Sequence, residues 1–138
     1  MKLNNVFRIT AIILLVILGL GGVYGGWLLI IDPSGDKMQF PLELLDKTPF
    51  HNYLIPGIIL ILANGLLTLF IALMVILKMK YWNWAILLQG CILIGWLTIE
   101  LLLNPDFFVP FMHYSFYIIG IILVVMGFVL INGKAKTP

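Results

Sequence analysis

The fold is decided by one stretch of the sequence, Leu54–Leu77, which reads LIPGIILILANGLLTLFIALMVIL. It contains no charged residue, and it is longer than the roughly 20 apolar residues that a helix needs to cross the core of a bilayer. Its apolar residues do not alternate with a period of two, as they would in a strand of a membrane barrel. The stretch therefore predicts a membrane-spanning helix, because a helix satisfies its own backbone hydrogen bonds in lipid.

Three further segments have the same character and cover about residues 9–31, 84–103 and 111–131. The composition agrees, since 62% of the 138 residues are hydrophobic and 10% are charged, whereas a soluble domain has about 25% charged residues. We expect one all-helical membrane domain over residues 1–138, an antiparallel up-down bundle of four transmembrane helices. The first span is too long for a cleaved signal peptide and ends without a small-x-small cleavage motif, so we expect it to be retained.

The charges of the connecting segments predict the orientation. One set of segments has only positive charges, at Lys2, Arg8, Lys78, Lys80, Lys134 and Lys136. The other set has five acids and two lysines, at Asp32, Asp36, Glu43, Asp46, Asp106, Lys37 and Lys47. Positive residues stay on the cytoplasmic side, so we expect both termini to be cytoplasmic, in a bacterial cytoplasmic (inner) membrane. The net charge of +2 reflects this topology, and it predicts no nucleic-acid partner.

The segment 32–53 is the one long connection, and we expect it on the outer side. Asp32-Pro33-Ser34-Gly35 is typical of a turn, and a short amphipathic helix is predicted over 40–47, with Pro41 at its first position. The loop is either a solvated connector with an interfacial helix or a lid over an outward-facing pocket. The residues that would contribute to such a lid are Asp32, Phe40, Phe50 and Tyr53.

Several different short motifs are distributed along the chain. They are Phe40-Pro41-Leu42-Glu43, Thr48-Pro49-Phe50, Tyr53 with Pro56-Gly57, Asn64-Gly65, Gln89-Gly90 and Gly95-Trp96. Together they resemble a group of small bacterial four-helix membrane proteins that have no assigned activity. The resemblance implies the four-helix topology and no activity.

Two ionisable residues fall within the predicted spans, Glu100 and His113. Such residues are costly in a membrane and are functional candidates by default. Both are near the outer ends of their helices, so the hairpin that joins the helices should bring them to a similar depth. Helical spacing places other polar or aromatic residues on the same faces. The candidate ligand-binding residues are Glu100, His113, Tyr117, Trp96, Tyr24 and Asn64.

The polar residues of the spans have two interpretations. Asn64, Gln89 and Thr68 are typical of side chains that hydrogen-bond one membrane helix to another. Glu100 with His113 favours a polar site in an outward-facing pocket, where the pair would bind a head group, carry a proton or act as acid and base. The glycine pairs Gly21-x-x-x-Gly25 and Gly22-x-x-x-Gly26 predict close packing beside a bulky side chain such as Trp96, with a homodimer as the alternative.

The sequence predicts no cofactor and no metal site. Its single cysteine, Cys91, cannot form an intrachain disulfide and is interpreted as a small packing residue. One of the two histidines, His51, is in the loop, which argues against a haem held between facing helices. Phosphate-loop, nucleophile-elbow and HExxH patterns are absent from the sequence, so no catalytic residue is assigned.

The function expected from these residues is binding of a lipid-like or amphipathic ligand in an outward-facing pocket, as an accessory or sensor subunit. Three alternatives stay open: a small proton-coupled transporter, a lipid-modifying enzyme that uses Glu100 and His113, and a structural subunit of a larger membrane complex. The inner half offers only Gln89 and Asn64 as a polar path, which counts against the transporter.

Overall fold

A computed structural model describes residues 2–134. It contains four long helices: α1 (Lys2–Ile31), α2 (Leu54–Ile76), α3 (Trp82–Leu103) and α4 (Pro110–Lys134). Each is long and apolar enough to cross a membrane, and residues 2–134 contain no strand, so the all-helical prediction is confirmed. α1 begins well before residue 9, because polar residues extend a helix beyond the apolar run that a hydropathy criterion detects.

The first two helices are packed through glycine. Gly22 of α1 lies directly against the backbone of Asn64 in α2, and Gly26 lies against Gly57. A Cβ atom at Gly22 would overlap the Asn64 carbonyl. Contact positions rise along α1 as they fall along α2, so the two helices are antiparallel. Gly22 therefore packs on the backbone of α2, and Gly26 packs on that backbone and on the Ile61 side chain. The predicted close packing is confirmed, with α2 and not Trp96 as the neighbour.

The last two helices form a second pair of the same kind. A Cβ atom at Gly90 of α3 would lie 2.8 Å from the Gly120 carbonyl oxygen of α4, and one at Gly127 would lie 2.7 Å from the backbone nitrogen of Leu87. These helices are antiparallel as well. Between the two pairs the interior is filled by large aliphatic side chains, one from each helix in the case of Leu15, Ile71, Ile86 and Leu123.

Residues 32–53, here called the cap, form an ordered structure over one end of the bundle. The cap contains two short 3-10 helices, Asp36–Met38 and Leu42–Leu45. The second occupies part of the predicted amphipathic helix, which is limited to a single turn because Thr48-Pro49 follows so closely. Leu45 and Tyr53 of the cap are packed with Leu29 of α1 in a small apolar cluster.

One hydrogen bond holds the cap together, and another fixes it to the residue that follows α3. The Tyr53 hydroxyl donates to the Pro41 carbonyl at 2.8 Å, and the Asn104 side-chain amide donates to the Leu44 carbonyl at 3.0 Å. Asn104 follows α3, so this second bond connects the α1–α2 loop to the α3–α4 turn. We call this end of the bundle the cap end.

The opposite end, here called the lysine end, contains the tight turn of residues 77–81. Lys78 (φ 51°) and Tyr81 (φ 66°) are left-handed in this turn, a conformation uncommon for residues other than glycine. Both lysines of the turn, Lys78 and Lys80, are exposed. The start of α1 and the end of α4 are also at this end, since a Cβ atom at Gly133 would contact the side chain of Asn4 at 3.5 Å.

Candidate functional site

Glu100 and His113 come together at the cap end. Glu100 is in the last turn of α3 and His113 in the first turn of α4, and Oε2 of the carboxylate is 3.9 Å from Nε2 of the imidazole. The His113 side chain is fully buried, whereas that of Glu100 is 27% exposed. A separation of 3.9 Å is too long for a hydrogen bond, so the two groups face each other across a gap.

The other imidazole nitrogen of His113 caps the start of α4. The backbone N–H of Val109 donates to Nδ1 at 3.1 Å, and it satisfies one of the free N–H groups at this helix terminus. Nδ1 is also 3.2 Å from the Val109 carbonyl oxygen, so both tautomers of the imidazole have a backbone partner at Nδ1. When Nδ1 accepts from Val109, Nε2 bears the proton. Nε2 is buried and has no hydrogen-bond partner among residues 2–134. The helix cap thus holds Nε2 towards the Glu100 carboxylate.

Trp96 and Tyr117, two further candidates, lie near this pair. The Trp96 side chain, one turn before Glu100 on α3, lies close to the carboxylate. The Tyr117 hydroxyl is 3.0 Å from Oγ1 of Thr98. Since Thr98 uses its own proton to donate to the Ile94 carbonyl at 2.7 Å, Tyr117 is the donor to Thr98. Tyr117 is therefore already bonded to a neighbour, whereas Trp96 lies beside the carboxylate.

The remaining candidates from the cap and from α1 have other environments. Tyr24 is 66% exposed on the outer face of α1. Asp32 accepts hydrogen bonds from the Ser34 hydroxyl at 2.6 Å and the Lys37 backbone N–H at 2.9 Å, and these bonds lower the pKa of its carboxyl group. Asp32 thus stabilises the turn that begins the cap.

The aromatic residues of the cap form its interior. Phe40 and Phe50 pack around Tyr53 in the apolar cluster, and the rings of Phe40 and Tyr53 are 5.9 Å apart. Burial raises the pKa of Tyr53 to about 12, and the charge of Glu43 adds to the effect. A hollow of about 260 Å³ on the cap is lined by cap residues, among them Asp46 and His51, and not by the Glu100–His113 pair.

Asn64 belongs to a second polar cluster, in the middle of the bundle. Nε2 of Gln89 donates to the Ala63 carbonyl at 3.2 Å and to Oδ1 of Asn64 at 3.4 Å. Ala63 and Asn64 are within a π-helical segment of α2, Ile61–Leu66, which interrupts the regular i to i+4 bonding of the backbone. Gln89 thus hydrogen-bonds α3 to the irregular part of α2, as expected for a polar contact between helices.

Three atoms of this central cluster have no partner among the described residues. They are Nδ2 of Asn64, Oγ1 of Thr68 and Oε1 of Gln89, and all three side chains are buried. Asn64 and Thr68 are four residues apart, so helical spacing places them on one face of α2. Gln89 of α3 lies against Asn64 on that face. The π-helical segment could not be derived from the sequence, although Asn64-Gly65 in the middle of a span is a notable signal.

Cys91 contradicts its interpretation as a packing residue. It is exposed and lines an apolar groove of about 480 Å³ between α2 and α3, towards the lysine end. The groove was missed at the level of sequence because a hydropathy pattern does not show where neighbouring helices separate. Residues 2–134 contain no group of three or more His, Cys, Asp or Glu side chains that could hold a metal ion.

Comparisons with protein family models, with characterised proteins and with solved structures found no match to this chain. The resemblance to small bacterial four-helix proteins therefore depends on the short motifs alone.

Proposed function

We propose that this protein is a multi-pass protein of a bacterial cytoplasmic membrane that binds an amphipathic or lipid-like ligand at its cap end. The four helices would cross the membrane as an up-down bundle with the cap outside and both termini in the cytoplasm. The charge distribution supports this orientation, since the five acids outside the helices are at the cap end and the lysine end is positive. The protein would act as an accessory or sensor subunit.

One observation supports the ligand site more than any other: the buried Nε2 of His113 has no partner and is 3.9 Å from the Glu100 carboxylate. A buried donor that makes no hydrogen bond costs about 1–3 kcal/mol. A ligand oxygen in the gap would accept from Nε2, and a hydroxyl or amine on the same head group would donate to Glu100. The pair therefore favours a head group that both donates and accepts hydrogen bonds.

The surroundings favour an apolar body on this ligand. Phe108 and Val109, directly before α4, are 40% and 43% exposed. They form apolar surface next to His113, since the Phe108 ring is 5.4 Å from the imidazole and the Val109 N–H contacts Nδ1. An amphipathic molecule would place its head at Glu100 and its chain along this surface.

A small proton-coupled transporter is the second candidate. The central cluster supports it, because Asn64, Thr68 and Gln89 put three unpartnered polar atoms in the interior of the bundle, below the Glu100–His113 pair. Intramembrane polar residues of this kind occur along ion and proton paths. The lipid-modifying enzyme would use the same pair as acid and base joined by one water.

The test is mass spectrometry of the small molecules that co-purify with gently extracted protein. We expect one amphipathic molecule to be retained by the wild type. Glu100→Gln and His113→Ala should lower its occupancy about tenfold, since the loss of a hydrogen bond to a charged group is worth about 1.5–3 kcal/mol. Glu43→Gln, which changes an exposed acid of the cap, is the matched control and should retain the ligand.

Thermal stability measured on the same samples separates binding from folding. If Glu100→Gln lowers stability but leaves the retained molecule unchanged, the pair holds the helices together and the proposal is wrong. Co-purification of a larger protein with no small molecule would favour the structural subunit. Proton uptake into vesicles that is lost in Glu100→Gln would favour the transporter.

A further inference from the structure

An apolar groove lies between α2 and α3, away from the Glu100–His113 pair. It has a volume of about 480 Å³ and belongs to the half of the bundle nearest the lysine end. Phe70 and Met74 of α2 line one wall, and Trp84, Leu88 and Cys91 of α3 line the other. Apart from Met74, these side chains are exposed, so the groove is open on the outside of the bundle.

The groove exists because no glycine brings the backbones of α2 and α3 into close contact. α2 makes its close contacts with α1 at Gly57 and Gly65, and α3 makes its close contact with α4 at Gly90. The side of α2 that faces α3 at this level has bulky residues such as Phe70 and Met74. These bulky residues hold the two backbones apart, and the space between the helices is open to the surroundings of the protein.

The mouth of the groove is positively charged. Tyr81 lines the groove at its lysine end, and Nζ of Lys80 lies over the Tyr81 ring, 4.8 Å from its centroid. Lys78 is exposed in the same short turn. The turn, residues 77–81, contains no acid. The apolar groove therefore ends beside Lys80, with Lys78 in the same turn, and these positive charges complement a phospholipid whose head group is anionic.

We propose that this groove binds an anionic phospholipid, with one acyl chain between α2 and α3 and the phosphate near Lys78 and Lys80. This site is separate from the Glu100–His113 site, which is at the other end of the helices. One acyl chain fits along the groove, since its lining runs from Tyr81 to Cys91, roughly 15 Å at 1.5 Å per residue, which is about half the thickness of a bilayer core. A second copy of the chain, bound at this groove about a two-fold axis, would bring Lys78 and Lys80 of the two copies close to each other. Because like charges repel, this arrangement is less favourable than an anionic lipid.

The test is native mass spectrometry of the full chain in detergent, titrated with phosphatidylglycerol or with phosphatidylcholine of the same chains. We expect the wild type to prefer phosphatidylglycerol for its first bound lipid by about 25-fold, because each lysine near an anionic lipid contributes roughly fivefold. The double variant Lys78→Gln with Lys80→Gln should lose this preference and still bind a lipid chain. Lys2→Gln, at an exposed lysine of the same end, is the matched control and should keep it.

A second variant tests the groove itself. Cys91→Phe fills the groove from an exposed position and should weaken the binding of both lipids, whereas Ile99→Phe, an exposed residue further along α3, should not. Equal affinity of the wild type for both lipids would overturn the proposal. The proposal would also be overturned if Lys2→Gln lost the preference for phosphatidylglycerol to the same extent as the double lysine variant. A dimer that Cys91→Phe dissociates would assign the groove to a second copy instead. Glu100→Gln should leave the phosphatidylglycerol preference unchanged, so this test succeeds or fails independently of the cap-end site.

Discussion

The contacts within each helix pair differ from the contacts between the pairs. Within a pair, glycine allows backbone to touch backbone, as at Gly22 with Asn64 and at Gly90 with Gly120. Between the pairs the contacts are made by side chains, such as Ile71 with the surrounding core and Gln89 with Asn64. Helices whose backbones touch leave no space between them, whereas helices in contact only through side chains can leave grooves and unpartnered polar atoms.

The groove follows this difference, because it lies between α2 and α3 and so between the pairs. The central cluster with its three unpartnered polar atoms also lies between the pairs. The Glu100–His113 gap is different, because it lies within the α3–α4 pair, beside the turn that joins the two helices. The pairs are therefore the closely packed units of this protein, and openings occur between them and at their ends.

The largest expected effect is at the contact within the first pair. Gly22→Ala would place a methyl group on the Asn64 carbonyl, so α1 and α2 must separate. We expect a loss of about 3 kcal/mol in the free energy of unfolding, the upper part of the usual range for overpacking. Reversible unfolding in mixed detergent micelles measures it.

Gly21→Ala is the control for this change, because a Cβ atom at Gly21 meets nothing within 4 Å. Its stability should stay within about 0.5 kcal/mol of the wild type. If the two alanine variants were equally stable, the close approach of α1 and α2 would not exist and the comparison would be broken.

A smaller effect is expected for the polar contact between the pairs. Gln89→Leu removes the amide that bonds to the Ala63 carbonyl and to Asn64, and we expect a loss of about 1 kcal/mol, in the range measured for hydrogen bonds between membrane helices. A double-mutant cycle with Asn64→Leu isolates the interaction of the two side chains. A coupling free energy of zero would show that Gln89 acts only through the backbone of the π-helical segment.

An effect of similar size is expected in the cap, which is bonded to both pairs at one end. The pKa of Tyr53 is raised from its ordinary value of 10.0 to about 12 by burial and by Glu43. As the pH rises from 10 to 12, the unfolded state loses this proton first, so the stability of the folded cap is retained below pH 10 and falls through that window. Tyr53→Phe should remove this part of the pH dependence, and it should also cost about 1 kcal/mol for the lost bond to the Pro41 carbonyl.

Thermal unfolding as a function of pH, followed together with tyrosinate absorbance, measures both parts of this prediction. Tyr24→Phe removes a hydroxyl from an exposed side chain and should not change the stability at neutral pH. If the absorbance change assigned to Tyr53 has its midpoint at pH 10, the phenol is not buried and the cap is open in solution.

The candidate site was partly predictable for a simple reason of geometry. Glu100 and His113 flank a short hairpin, and the two ends of a hairpin must lie at the same depth. Their distance of 3.9 Å and the bond from Val109 to the imidazole depend on side-chain rotamers, which the spacing along the chain does not specify. The exposure of Tyr24 and the groove at Cys91 depend on which faces the neighbouring helices cover, and no single helix encodes that.

By itself, the sequence determined the number of helices, their limits to within a few residues except at the start of α1, and the segregation of charge between the two ends. These follow from local properties, because the length of an apolar run and the positions of charges are read along one segment at a time. Only the tertiary structure decided which glycine touches which backbone, that α2 contains a π-helical segment held by Gln89, and that α2 and α3 leave a groove. Those features arise from the fit of one surface against another, and that fit depends on all four helices together.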